Sequence, residues 1–335
     1  MGEEWIGGYV RLPLYVSDGG KALRPTSAVW LAGDGCIVGL EYVPPGSPPS
    51  ALARLLEQAM REPVAGSGPP RKPSRIRVSD PAVVESVREA VGPGTEIVVA
   101  PAPELEEVKR RFPEFVMEEQ PIEESVERSY LSSGLVEPAL VEAFFRAAAE
   151  LWRAAPWRHA AAAQPLRLSV PALGLPRACV SILGAAGKIH CLLVFDSLEH
   201  FLRHVAAVEA APTDSGDDWR IDDLGTEVFT VTFAPEGALT RAMRREVKAH
   251  GWKVPDHRAH PYVIRADRDA VPRPVSPEDY RLAIVAATAV ARFAGAHPEA
   301  FARPLPDTVS LALEVTVLGA AIPVTVALPY EPPAR

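Results

Sequence analysis

The chain has 335 residues, 47% of them apolar and 23% charged, with a net charge of −8. That length favours two hydrophobic cores over one, and the composition excludes a chain disordered throughout. Residues 1–127 hold 13 Lys/Arg against 20 Asp/Glu, net −7, and residues 128–335 hold 22 against 23, net −1, so neither part offers the positive field of a general nucleic-acid binder.

In chain order, Tyr9–Val16 alternates loosely as a strand. Ser27–Leu31 and Cys36–Val43 flank Gly33-Asp34-Gly35, a hairpin-turn signal. Ser50 is placed to cap a helix with Leu52, Leu55, Leu56 and Ala59 on one face. After a Pro/Gly loop at 62–74, Arg75–Val78 reads as a strand. Asp80-Pro81 opens a helix to about Val91, Glu96–Ala100 is a further strand, and a charged helix covers about Glu104–Phe112. This order defines an α/β domain over residues 1–112. Residues 113–137 are acidic and weakly periodic, and read as a linker.

The remainder, 138–335, reads as an α+β domain with a mixed or antiparallel sheet. It opens on an amphipathic helix with Leu140, Val141, Phe144, Phe145, Ala148, Leu151 and Trp152 on one broad face. Leu166, Leu168 and Val170 alternate, and Ala178–Leu183 with Lys188–Phe195 brackets a hairpin loop at 184–187. A helix at 197–208 follows, then an acidic loop TDSGDD (213–218), a strand Glu227–Phe233, and a helix Glu236–His250 stopped by Gly251. Tyr262–Arg265 is a short strand. Ser276-Pro277-Glu278-Asp279 combines a capping hydroxyl, an N1 proline and first-turn acids at the start of a helix reaching Phe293. Val309–Val317 and Ile322–Leu328 close the chain as an antiparallel pair.

The three cysteines, Cys36, Cys179 and Cys191, are odd in number and without a CxxC, which fits reduced thiols. MGEEWIGGYVRLPLYV lacks the basic-then-apolar order of a secretory signal, Ile6 breaks the myristoylation pattern, and no apolar run reaches about eighteen residues. A soluble cytoplasmic protein without membrane contact is expected.

The densest collection of metal ligands and proton carriers is KIHCLLVFDSLEHFLRH (188–204). Strand alternation puts Cys191 on one face with Leu193 and Phe195, and His190 on the other with Leu192 and Val194. Helical spacing puts Leu198, Phe201, Leu202 and Val205 on the buried stripe, with His200 and His204 opposite it. These two are i,i+4 neighbours, as zinc-binding pairs often are, but a water-facing pair lacks a third ligand. Asp196, Ser197 and Glu199 have work enough in starting the helix. His257 and His260 form a His-x-x-His in a surface loop. The TDSGDD loop lacks the ligand order of a calcium site.

No dinucleotide fingerprint, P-loop or nucleophile elbow occurs. Residues 27–112 look like an RNase H-type nuclease fold in element order. The resemblance implies carboxylates gathered for two magnesium ions, here Asp34, Asp80 and Glu104 or Glu107. Asp34 departs from it by sitting at a turn tip, where that family's first carboxylate lies within a strand. FFRAAAELWRAAPW, LRLSVPALGLPRACVSILGAAGKIHCLLVFDSLEHF and RADRDAVPRPVSPEDYRLAIVAATAVARF resemble a bacterial domain of unknown function. PPSALARLLEQAMREP and RIRVSDPAVVESVREAVGPGTEIVVAP resemble another, often found beside it. Neither family carries over a catalytic residue. The expectation is a non-enzymatic binding or adaptor module with a protein or small-molecule partner and no cofactor. The alternative is a divalent-metal hydrolase using carboxylates of the first domain or histidines of the second.

Overall fold

The structure is a computed structural model, which describes residues 3–12, 16–18, 21–44, 46–109, 128–162, 164–185, 187, 189–210, 227–267, 271–301 and 308–330. It has mixed α/β content, with a mixed five-stranded sheet and an antiparallel eight-stranded sheet. Contacts divide it into two compact units, Met1–Ser125 and Val126–Arg335.

The first unit contains β1 (Glu4–Arg11), a small hairpin of β2 (Val16–Asp18) and β3 (Lys21–Leu23), β4 (Thr26–Ala32), β5 (Ile37–Val43), α1 (Pro49–Arg61), β6 (Arg75–Val78), α2 (Val84–Val91), β7 (Glu96–Val99) and the helix α3 (103–109). Its sheet runs β5-β4-β1-β6-β7, antiparallel up to β1 and parallel beyond it. Helices α1 and α2, with the 3₁₀ turn before α2, cover one face through Leu52, Leu55, Leu56, Val83 and Val87, packed on Trp5, Trp30 and Ile76. Leu105 of α3 covers the other, against Ile6, Val10, Val29 and Leu31.

Strand β1 starts five residues earlier than alternation predicts. As the central strand it is buried on both faces, so Trp5 and Ile6 are both core residues and the period-two signal vanishes. Gly7 and Gly8 are there for close packing. A Cβ at Gly7 would lie 2.3 Å from the Trp30 ring, and one at Gly8 would lie 2.6 Å from Leu105. Ser50 does not cap α1: the helix follows Pro48 with Pro49 at its first turn and no side-chain cap. A proline there has no N–H to leave unsatisfied. Asp80 caps as expected, accepting from the Ala82 amide at 2.8 Å, though its first turn is 3₁₀.

The second unit contains α4 (Pro138–Ala154), β8 (Leu166–Val170), β9 (Leu175–Leu183), β10 (His190–Phe195), α5 (Leu198–Ala210), β11 (Val228–Ala234), α6 (Arg241–His250), β12 (His260–Ala266), β13 (Pro272–Arg273), α7 (Pro277–Ala296), β14 (Val309–Val317) and β15 (Ala320–Leu328). The sheet order is β13-β12-β11-β10-β9-β8-β15-β14. One face packs Leu166, Val180, Leu192, Val231 and Val326 against α4 and α7. Fourteen of the twenty residues of α7 are buried, because it lies between the sheet and α4; an all-round apolar helix needs cover on every side. Each fully buried Leu, Val or Phe there contributes about 1.5–3 kcal/mol. Its capping box between Ser276 and Asp279 forms as the sequence predicts.

The opposite face carries Cys179, Cys191, Leu193 and Phe195 beneath Phe201 of α5. Of the segment expected as linker, 113–127 lies outside the described residues, while 128–137 folds onto this unit. Glu246 of α6 accepts from the Tyr130 amide at 2.8 Å and from the Ser129 hydroxyl, and the buried Tyr130 hydroxyl donates to the Pro261 carbonyl at 2.9 Å. Helix α6 begins at Arg241 rather than Glu236. Leu239 is extended, and Thr240 supplies the cap by accepting from the Met243 amide at 3.2 Å.

Candidate functional site

The centre of the candidate site is β10 and the helix after it. Alternation along β10 holds: Leu192 and Val194 join the α4–α7 core, while Cys191, Leu193 and Phe195 face α5. His190, half-buried, faces the first side. Its ring packs 5.1 Å from Trp152 of α4 and 4.9 Å from Trp157, and Phe233 of β11 stands opposite it and completes the aromatic cluster. Burial lowers its pKa, so at neutral pH it is an uncharged ring among rings. On the other face, burial pushes the thiols of Cys179 and Cys191 up to about 12, which removes their thiolate chemistry.

The helical histidines require a correction. His204 does not face water; it is 6% exposed, with its ring centroid 5.1 Å from Phe195. Leu202, assigned to the buried stripe, is instead 55% exposed. The buried stripe is rotated, running through Phe201 and His204 with Leu198 and Val205 at its margins. Hydropathy alone ranks leucine above histidine for a buried place, but here the neutral imidazole packs against the Phe195 ring and takes it. Burial lowers the His204 pKa, and its Nδ1 has no protein hydrogen-bond partner. The Nδ1 of His200 is likewise without one, and the His200 amide donates to the Ser197 hydroxyl at 3.3 Å, the helix-starting role expected of Ser197.

His260 also moves. It is no loop residue but the first residue of β12, paired with Ala234 and 7% exposed. Burial is the main cause lowering its pKa, opposed by Glu236 and by a hydrogen bond with the Ala234 backbone. His257 stays in the exposed loop, 3.2 Å from the Asp256 carboxylate. The His-x-x-His therefore splits between a buried strand end and an exposed turn. The TDSGDD loop lies outside the described residues.

The carboxylates of the first unit are also apart. Asp34, at the β4–β5 turn tip, accepts from the Cys36 amide at 2.9 Å. The strand ending at Ala32 meets β1 at Trp5, level with Ile76 of β6, whereas Asp80 lies two residues past Val78 at the other end of β6. At 3.3 Å per residue the two are separated by roughly 13 Å or more along the strands, while a two-metal centre spans about 4 Å. Glu104 pairs with Arg77 at 2.6 Å, and Arg77 also reaches Glu4 at 3.4 Å. The Arg77 hydrogen bond lowers the Glu104 pKa. Glu107 is exposed on the same helix. Among the described residues, no three His, Cys, Asp or Glu side chains come together as a metal site.

Two features escaped sequence reasoning. Arg77 organises an ion cluster of Glu4 and Glu104; the alternation of Arg75 and Arg77 with Ile76 and Val78 was its signal. A groove of about 470 Å³ crosses β8, β15 and β14, lined by Ser169, Pro171, Ala312, Glu314, Pro323 and Thr325. Glu314 is its single charged wall, and no sequence motif marks it. No protein-family model matches the chain, and no curated protein matches it either.

Proposed function

We propose that the chain is a non-enzymatic, cytoplasmic binding or adaptor protein whose two compact units are separate domains. The observation that carries this reading is the scatter of its reactive side chains among separate local environments. Asp34 closes a turn, Asp80 caps a helix, Glu104 neutralises Arg77, and His190, His204 and His260 lie in different packing environments.

The resemblance to domains of unknown function belongs to the same proposal. For the first unit we read a degenerate RNase H-like domain, supported by the order of strands and helices over residues 27–109. A nuclease of that type places a carboxylate within a strand. Asp34, the candidate for that place, sits instead at the β4–β5 turn tip and accepts from the Cys36 amide, which supports an inactive relative. The test is magnesium-dependent cleavage of single- and double-stranded DNA and RNA by the purified chain. No cleavage is expected. Cleavage that disappears in Asp80→Asn would replace this reading with the metal-dependent hydrolase.

A further inference from the structure

Among the described residues the two larger sheets end on four edge strands, three of which are shielded against pairing with another chain. Strand β13 is two residues long and contains Pro272 and Arg273. Strand β7 is four residues long and carries Glu96. Strand β5 is partly capped by the Val64 amide, which donates to the Val38 carbonyl at 3.0 Å. These are the usual devices by which sheet edges avoid adding strands.

Strand β14 is the least protected of the four: its devices are one acidic side chain, Glu314, and a single long hydrogen bond from Arg292 to the Glu314 carbonyl. It is nine residues long, VSLALEVTV, with no proline, no lysine and an unbroken register against β15. Among the described residues it pairs on one side alone and ends the eight-stranded sheet. Val309, Leu311 and Leu313 remain partly exposed beside the α4–α7 core, while Ser310, Ala312, Glu314 and Thr316 are exposed on the other face.

The sequence of β14 is close to symmetric about Leu313. Antiparallel pairing with a second copy about that residue sets Val309 against Val317, Ser310 against Thr316, Leu311 against Val315, Ala312 against Glu314, and Leu313 against itself. Small hydroxyls meet hydroxyls and branched apolar chains meet one another, which are favourable cross-strand pairs. The one charged side chain of the strand falls opposite a methyl group, so like charges do not meet head-on. Arg292 of α7 donates to the Glu314 carbonyl at 3.5 Å, a long, exposed bond that strand pairing replaces, and the joined edges then carry two charges of each sign.

We propose that β14 is a self-association edge, through which two copies of the chain join antiparallel about Leu313 into a continuous sixteen-stranded sheet. An isologous two-fold contact of this kind closes on itself and needs no further copies.

Sedimentation velocity on the full chain over a concentration series tests it, with Ala312→Lys and Ala312→Glu as variants at an exposed position. The wild type is expected to show a concentration-dependent dimer. Ala312→Lys places an ammonium opposite Glu314 twice per dimer and tightens association about tenfold, while Ala312→Glu loosens it by a similar factor. A monomer at every concentration overturns the proposal. So does a dimer that both variants weaken, or one that neither changes, since those results place the contact in another register or on another surface.

Discussion

The imidazole of His204 lies 5.1 Å from the phenyl ring of Phe195, at the buried interface between α5 and the sheet. A charge at that position would be removed from water without a partner, so burial holds its pKa below the free value of 6.5. Below about pH 6.5 the unfolded chain takes up a proton there that the native chain resists, which favours unfolding. Stability is therefore full above that pH and declines as pH falls toward the folded-state value. His190 and His260 are lowered for the same main reason and add to the slope. Thermal melts between about pH 7.5 and 5.5 should show a falling midpoint, with a shallower fall in His204→Leu. An equal fall in wild type and variant removes His204 from the explanation.

Gly7 packs against the face of Trp30, whose indole N–H donates to the Leu52 carbonyl at 3.0 Å. Gly7→Ala forces a methyl group to within contact-breaking distance of a ring that is completely buried. Overpacking of this kind costs about 1–3 kcal/mol. Gly237→Ala, where no atom lies within 4 Å of the added carbon, is the control and should be nearly neutral. Denaturant unfolding of both variants decides the matter; a neutral Gly7→Ala contradicts the packing described for β1.

Glu246 ties residues 128–137 to α6 by accepting from the Tyr130 amide and the Ser129 hydroxyl. Glu246→Ala leaves a part-buried amide without its acceptor, a loss of about 1–3 kcal/mol. Amide hydrogen exchange at Tyr130 should accelerate markedly in the variant. Unchanged protection there means that the segment is held by its buried side chains alone.

Cys179 and Cys191 are buried with thiols raised to about 12, whereas Cys36 is partly exposed. A disulfide reagent at neutral pH should titrate one thiol in the native chain and all three after unfolding. Rapid labelling of three native thiols contradicts the packing of α5 over β9 and β10.

Much of this architecture is legible in the sequence where a single rule acts. The capping box at Ser276 and Asp279, the alternation of Leu166, Leu168 and Val170, and the glycine stop at Gly251 each reflect one local preference. Legibility fails where tertiary packing overrides local signals. The central strand β1 hides its period because both faces are covered, and the stripe of α5 turns because Phe195 accepts an imidazole. The candidate site was legible as a list of residues and illegible as geometry. The separation of Asp34 from Asp80 follows from strand register, and no spacing in the sequence encodes it.

The central claim, that the reactive side chains do not converge, is tested most directly by metal analysis of the purified chain after exposure to zinc and manganese, followed by removal of unbound ions. The scatter of His190, His200, His204, His257 and His260 predicts far less than one bound ion per chain. One zinc or manganese per chain, lost on His190→Ala or His204→Ala while the fold persists, would contradict it.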